Sequence, residues 1–137
     1  MRWLKIRSQE KMTRALIARN FSASRMNRTK WMELVETLQD LNLCYRIKFV
    51  DEEGITDWAW LMSPHPLWLE IGAYGPFRPV SIEWLEIDPY NHIGRHGEVV
   101  ASDYSGDIEN RLASLNIPFD IIGGLFRITG HVRYGTI

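Results

Sequence analysis

A single cysteine, Cys44, is all the thiol the 137-residue chain carries. An intrachain disulfide is therefore excluded, and with it the stapled scaffold of small secreted domains. Zinc sites built on two or four thiolates are excluded on the same count. Long apolar runs are missing too. The longest, Trp58–Met62, is far short of the roughly 20 residues that span a bilayer. The first residues lack a continuous apolar stretch with a small-residue cleavage site, so no secretory signal is expected. No GxGxxG, phosphate-loop lysine or GxSxG pattern is present, which leaves no motif-level case for dinucleotide, nucleoside triphosphate or serine-hydrolase chemistry. A soluble protein of a reducing, cytoplasmic compartment is the expectation, with no cofactor.

Net charge is also scarce, at −1, but the total conceals a division. Residues 1–30 hold nine of the sixteen Lys/Arg and one acid, a formal +8, whereas residues 31–137 hold seven bases and sixteen acids, a formal −9. A basic head precedes an acidic body. The head, residues 1–25, carries only a loose helical stripe (Trp3, Ile6, Met12, Leu16, Ile17). Three readings compete for it: a flexible or helical extension, a basic arm for nucleic acid or lipid, and leader sequence ahead of a later start at Met26. The expected division is thus an extension over 1–25 and one globular domain over 26–137, a length suited to a single core.

What the chain has in quantity is aromatic residues, 12 % with six Trp, enough for a sizeable core. From Asn27 the periodicity sharpens. Trp31, Leu34, Val35, Leu38 and Leu41 recur at helical spacing behind an Asn27 or Thr29 cap, with Asn42 as the stop. Tyr45, Ile47 and Phe49 alternate as a half-buried strand, followed by an Asp51–Gly54 turn and a second strand in which Trp58, Trp60 and Met62 face the core. Pro64 and Pro66 end that strand. Leu67–Ile71 and Val80–Ile87 read as strands, and Asp88–Ser102 reads as a polar loop with a short strand near Val99. A second helix is capped by Ser105 with Ile108, Leu112 and Leu115 inward, and Gly123-Gly124 turns a final hairpin. Runs of strands without strict βα alternation give an α+β fold: a mainly antiparallel sheet of about five or six strands with two principal helices packed on it.

Chemistry-bearing residues are sparse. His92 and His96 stand four apart, flanked by Asp88 and Glu98, but Pro89, Gly94 and Gly97 argue for a loop, so they are weak metal candidates. Glu83, Glu86 and Asp88 cluster at a strand end, where alternation puts only Glu86 and Asp88 on one face. Cys44 reads as a small packing residue. The tryptophans read first as core and second as interface anchors.

The segments MNRTKW (26–31) and SIEWLEID (81–88) resemble a bacterial family of small proteins classed as a domain of unknown function. The resemblance runs from Met26 to about Val132 and carries no activity or catalytic residues with it. In size and charge the chain is also similar to immunity proteins that neutralise toxins. A non-enzymatic, acidic protein-binding module, immunity- or antitoxin-like, is therefore favoured. Its basic protein partner would meet Asp51, Glu52, Glu53, Glu86 and Asp88. Nucleic acid is disfavoured except through residues 1–25. The alternative is a small enzyme or ligand-binding domain using the Glu86/Asp88/His92/His96 loop, which requires those side chains to converge in a pocket.

Overall fold

The computed structural model describes residues 2–93 and 99–135, with side chains described for 11–90 and 102–135. Helix α2 (Arg28–Leu38) follows its expected pattern. Asn27 has extended backbone, and its side-chain oxygen accepts the Lys30 N–H at 2.8 Å, which satisfies one orphan donor of the first turn. Trp31, Leu34, Val35 and Leu38 form the buried stripe. The helix tightens into a 3-10 turn (Gln39–Leu41) and stops where Asn42 takes a left-handed φ of 50°.

Strand β2 (Cys44–Phe49) then enters a four-stranded antiparallel sheet ordered β2-β6-β10-β9, with β6 (Ile82–Asp88), β9 (Asp120–Ile122) and β10 (Leu125–Thr129). One face supplies Tyr45, Ile47, Phe49, Leu85, Ile87, Phe126 and Ile128 to a single core. Helix α2 covers that face together with Ile108 and Leu112 of α3 (Ser105–Ser114). The β9–β10 hairpin turns through Gly123 and Gly124, both at positive φ (59° and 82°), as a two-residue turn requires. Ser105 is the first residue of α3 rather than its cap; the cap position is Tyr104, with no side-chain cap bond, and Asp103 Oδ1 accepts both the Ser105 N–H (2.9 Å) and the Ser105 hydroxyl (2.5 Å).

The fold is α+β with mainly antiparallel sheets, but its strands are shorter and more numerous than the five or six expected. Among the described residues there are eleven. Strands β3 (Leu61–His65), β4 (Trp68–Ile71) and β5 (Tyr74–Phe77) make a separate sheet. Pro64 lies inside β3 instead of ending the strand before it, because β3 is a sheet edge where a missing N–H costs no ladder bond. The expected Trp58–Met62 strand does not form as one piece. Residues 55–59 pair with β2 through isolated bridges, Lys48↔Ile55 and Tyr45↔Ala59, rather than as a continuous strand. Between them the Thr56 hydroxyl, not a backbone carbonyl, accepts the Ile47 N–H at 2.9 Å, which interrupts the ladder. The expected polar loop after Asp88 begins and ends as a hairpin, β7 (Tyr90–Ile93) with β8 (Val99–Asp103).

Helix α1 (Arg2–Asn20) precedes β1 (Phe21–Ser24), which pairs antiparallel with β11 (His131–Arg133). Thr13 and Phe21 are buried, and α1 lies against a 3-10 turn at Pro79–Ser81. A paired strand therefore stands immediately before the boundary expected at residue 25.

Candidate functional site

The sheet face turned away from α2 and α3 is organised around a buried acid. Register places Glu86 of β6 between Arg46 of β2 and Arg127 of β10. Glu86 is 1 % exposed. Its Oε1 accepts Arg46 Nε at 2.7 Å, and its Oε2 accepts Arg127 Nε and Nη2 at 3.0 and 2.8 Å. Each guanidinium also lies over a tryptophan, Arg46 at 4.6 Å from the Trp58 ring centre and Arg127 at 4.2 Å from that of Trp84, adding a cation–π contact to the ion pair.

Glu83 joins the same face. Arg133 binds it in a two-pronged contact (2.8 and 3.0 Å), and the Lys48 ammonium lies 3.3 Å from its Oε1. Strand alternation predicts Glu83 and Glu86 on opposite faces. They share one because the pairing shifts between Lys48 and Phe49, a bulge that turns Glu83 outward. The contact with Glu83 raises the pKa of Arg133. With both oxygens of each acid held by cations, this cluster is a clamp across the strands. Glu86 is thereby withdrawn from the surface contacts expected of it, because a carboxylate enclosed by two arginines cannot meet a partner.

The other sequence candidates separate. Asp88 ends β6 opposite Cys44, and its Oδ1 accepts the Tyr90 N–H at 3.0 Å. Burial, followed by the Asp88 charge, pushes the Cys44 thiol up. Asp51, Glu52 and Glu53 are exposed, and Glu52 accepts the Tyr74 hydroxyl at 2.7 Å. The backbone of His92 lies in β7, whereas His96 and Glu98 lie outside the described residues. Among the described residues, no group of three or more His, Cys, Asp or Glu side chains is placed to hold a metal ion.

The segment after the acidic turn departs from expectation. Strand alternation places Trp58, Trp60 and Met62 toward the core, but Trp60 is 65 % and Met62 51 % exposed. Ala59 and Leu61 take the inward positions, because Ala59 is the residue bridged to Tyr45. Trp60 and Met62 instead line an open groove of about 350 Å³ bordered by Val35, Leu38 and Gln39. Residues 51–62 thus present Asp51, Glu52, Glu53 and Asp57 in the same exposed stretch as Ile55, Trp58, Trp60 and Met62.

Sequence reasoning gave no role to His131. It is 5 % exposed, with Nε2 at 2.8 Å from the Val80 carbonyl and Nδ1 at 2.7 Å from the Ser24 hydroxyl. A neutral ring satisfies both contacts: Nε2–H donates to Val80, and Ser24 donates to Nδ1. Burial lowers its pKa below the ordinary 6.5; the Val80 bond and Glu83 oppose this, and Arg14 reinforces it. The unfolded chain therefore takes the proton first. Stability from neutral His131 is complete above the ordinary value and is lost as pH falls through the folded one. Wild-type melting temperature should therefore drop as pH falls below the ordinary value of 6.5, and His131→Gln should flatten that slope in a pH series of thermal melts. Asp40 and Asp103, both held below the usual carboxyl value of 3.8 by hydrogen bonds to Arg111 and Ser105, titrate further down the scale.

No helix among the described residues is long and apolar enough to cross a membrane. Comparison with curated proteins and with solved structures gives no match. A family profile matches residues 13–135, beginning thirteen residues before the Met26 start of the resemblance seen in the sequence. The chain belongs to that family, described as a family of unknown function (DUF6678).

Proposed function

We propose that the chain is a non-enzymatic module that binds a basic protein, of the immunity or antitoxin kind, in the cytoplasm. The observation that carries this reading is the exposure of Trp60, 65 %, in a stretch that also displays four carboxylates. Large exposed aromatics are the commonest energetic anchors of protein interfaces. The acids supply steering: residues 26–137 hold nine bases against sixteen acids, and a field of that sign speeds encounter with cationic surfaces. Asp51, Glu52, Glu53 and the half-buried Asp88 stay in the contact set, joined by Asp57, and Glu86 leaves it. The enzyme alternative loses the same residue, since its acid–base pair would need a Glu86 carboxylate open to substrate.

The test is affinity capture with the full chain from the cells that produce it, at about 50 mM and about 500 mM salt. A protein of net positive charge should be retained at low salt and released at high salt. Trp60→Ala should lose it while melting within about 0.5 kcal/mol of wild type, as expected for an exposed side chain. Combined Asp51→Asn, Glu52→Gln and Glu53→Gln should weaken retention and its salt dependence together. Equal capture by wild type and both variants, or no basic protein at either salt, would overturn the reading.

A further inference from the structure

Strand β9 (Asp120–Ile122) ends the four-stranded sheet, and among the described residues no strand pairs with its outer side. The opposite end of the sheet, β2, is bordered by the bridges to residues 55–59. An open edge offers unpaired backbone groups to another chain unless it is covered or charged. The β9 edge is also apolar: Ile121 is 57 % and Ile122 45 % exposed. Ile121 stands opposite the core residue Phe126, so it lies on the helix side of the sheet. Ile122 lies on the other side, in a cavity of about 340 Å³ that Asp120, Trp84 and Arg25 also line. None of these residues belongs to the 51–62 stretch.

We propose that β9 is the contact of a homodimer: two copies of the chain pair antiparallel about a two-fold axis at Ile121, and Asp120 of each copy meets Arg25 of the other. The bonding pattern sets the axis. In a two-residue hairpin, the residues flanking the turn exchange both ladder bonds. Here these are Ile122 and Leu125, on either side of Gly123-Gly124. Alternation then turns the Ile121 N–H and C=O away from β10. Two copies centred there exchange both bonds between their Ile121 residues, and the two Ile121 side chains pack together on one face. The same register sets Asp120 of one copy across from Ile122 of the other, at the mouth of the cavity that holds Arg25. Charge selects a second copy over an unrelated strand. Asp120 and Arg25 are exposed, and neither side chain has a hydrogen bond or ion pair among the described residues. Arg127, opposite Asp120 in register, is held by Glu86 instead, and Glu83 is held by Arg133 and Lys48. One unpaired acid and one unpaired base beside a single edge form the self-complementary arrangement that a two-fold contact requires. The strand is short, so the contact is small, and a dissociation constant of about 10–100 µM is expected.

Sedimentation equilibrium of the full chain over about 5–500 µM tests this. The mass should rise with concentration from 16.0 kDa towards twice that value. Ile121→Lys should keep the chain monomeric throughout, because a charged edge resists pairing. Asp120→Arg and Arg25→Asp should each weaken the dimer about tenfold, the scale of lost ion pairs that become like-charge contacts. The two together should restore it to within about threefold, since the swap rebuilds the pair with its signs exchanged. Glu36→Arg, exposed on α2 and outside the cavity, should leave association unchanged. All four positions are exposed, so folding should survive, and circular dichroism verifies this. Hydrogen exchange of the wild type gives a second readout: the Ile121 amide should exchange more slowly at the high concentration than at the low one. Three results overturn the proposal: a monomer up to about 500 µM, a dimer that Ile121→Lys leaves intact, or a charge swap that weakens association as much as the single reversals.

Discussion

Glu86→Ala should lower stability by about 3 kcal/mol and the melting temperature by roughly 10 °C. Removal of the acid leaves Arg46 and Arg127 facing each other across β6 with no anion between them. Breaking a buried pair by deleting one partner costs about 3–5 kcal/mol because the survivor stays buried and unpaired. The low end applies because both arginine side chains are about 30 % exposed (31 % and 30 %) and partly rehydrate. A charge-free replacement separates the cost of orphaned charge from the worth of the clamp itself. Arg46→Met, Glu86→Leu and Arg127→Met together should return to within about 1 kcal/mol of wild type, since well-packed apolar groups replace a buried ion cluster at little loss. Thermal and urea melts of the single and triple variants check this. If the triple variant is no more stable than Glu86→Ala, the orphaned-charge account fails.

Gly130→Ala is the other large effect. Gly130 joins β10 to β11 and is held on both sides: its N–H donates to the Glu83 carbonyl at 2.7 Å, and its own carbonyl accepts the Arg25 N–H at 2.9 Å. An added Cβ would fall well inside contact distance of the Ile82 carbonyl oxygen, with Trp31 Cζ2 at 3.2 Å and the Glu83 carbonyl oxygen at 3.3 Å. The backbone cannot retreat without giving up those bonds. A loss of about 3 kcal/mol or more is expected, read as a lower urea midpoint and poor soluble yield. Adding Trp31→Phe should not rescue it, because the severe clash is with main chain. A rescue would show that the ring, not the carbonyl, sets the limit.

Both effects lie in parts of the molecule that the sequence describes poorly, and the reason is physical. Helix α2 is legible because its cap, stripe and stop are local: Asn27, Trp31 to Leu38 and Asn42 lie within one stretch of chain. The alternation in β2, β6 and β10 is legible for the same reason. The clamp is not, because Arg46, Glu86 and Arg127 lie some forty residues apart (40 and 41) and meet only through register. A one-residue bulge then reverses the facing of Glu83, which no pattern within β6 announces. Trp60 illustrates a different limit. Periodicity separates two faces of a segment without saying which is buried. Hydrophobic size favours the larger side chains inward, yet the small Ala59 is the one that fits against Tyr45. Of the binding residues expected from sequence, Asp51, Glu52 and Glu53 are where a partner can reach them, and Glu86 is not.

The pairing of β1 with β11 has a consequence for the order of assembly. Ser22 bonds Val132 across 110 residues of chain, whereas β6 meets β10 across about forty. Closing a long loop costs more entropy, and contacts of high sequence separation are won slowly. The four-stranded sheet should therefore consolidate first and the β1–β11 clasp last, visible as late amide protection at residues 21–24 and 131–133 in pulsed hydrogen exchange. Ser24, Met26 and His131, which the clasp brings together, all line a cavity between α1 and the Pro79–Ser81 turn. That cavity would then be the last feature of the molecule to exist, closed only when the two ends of the chain have met.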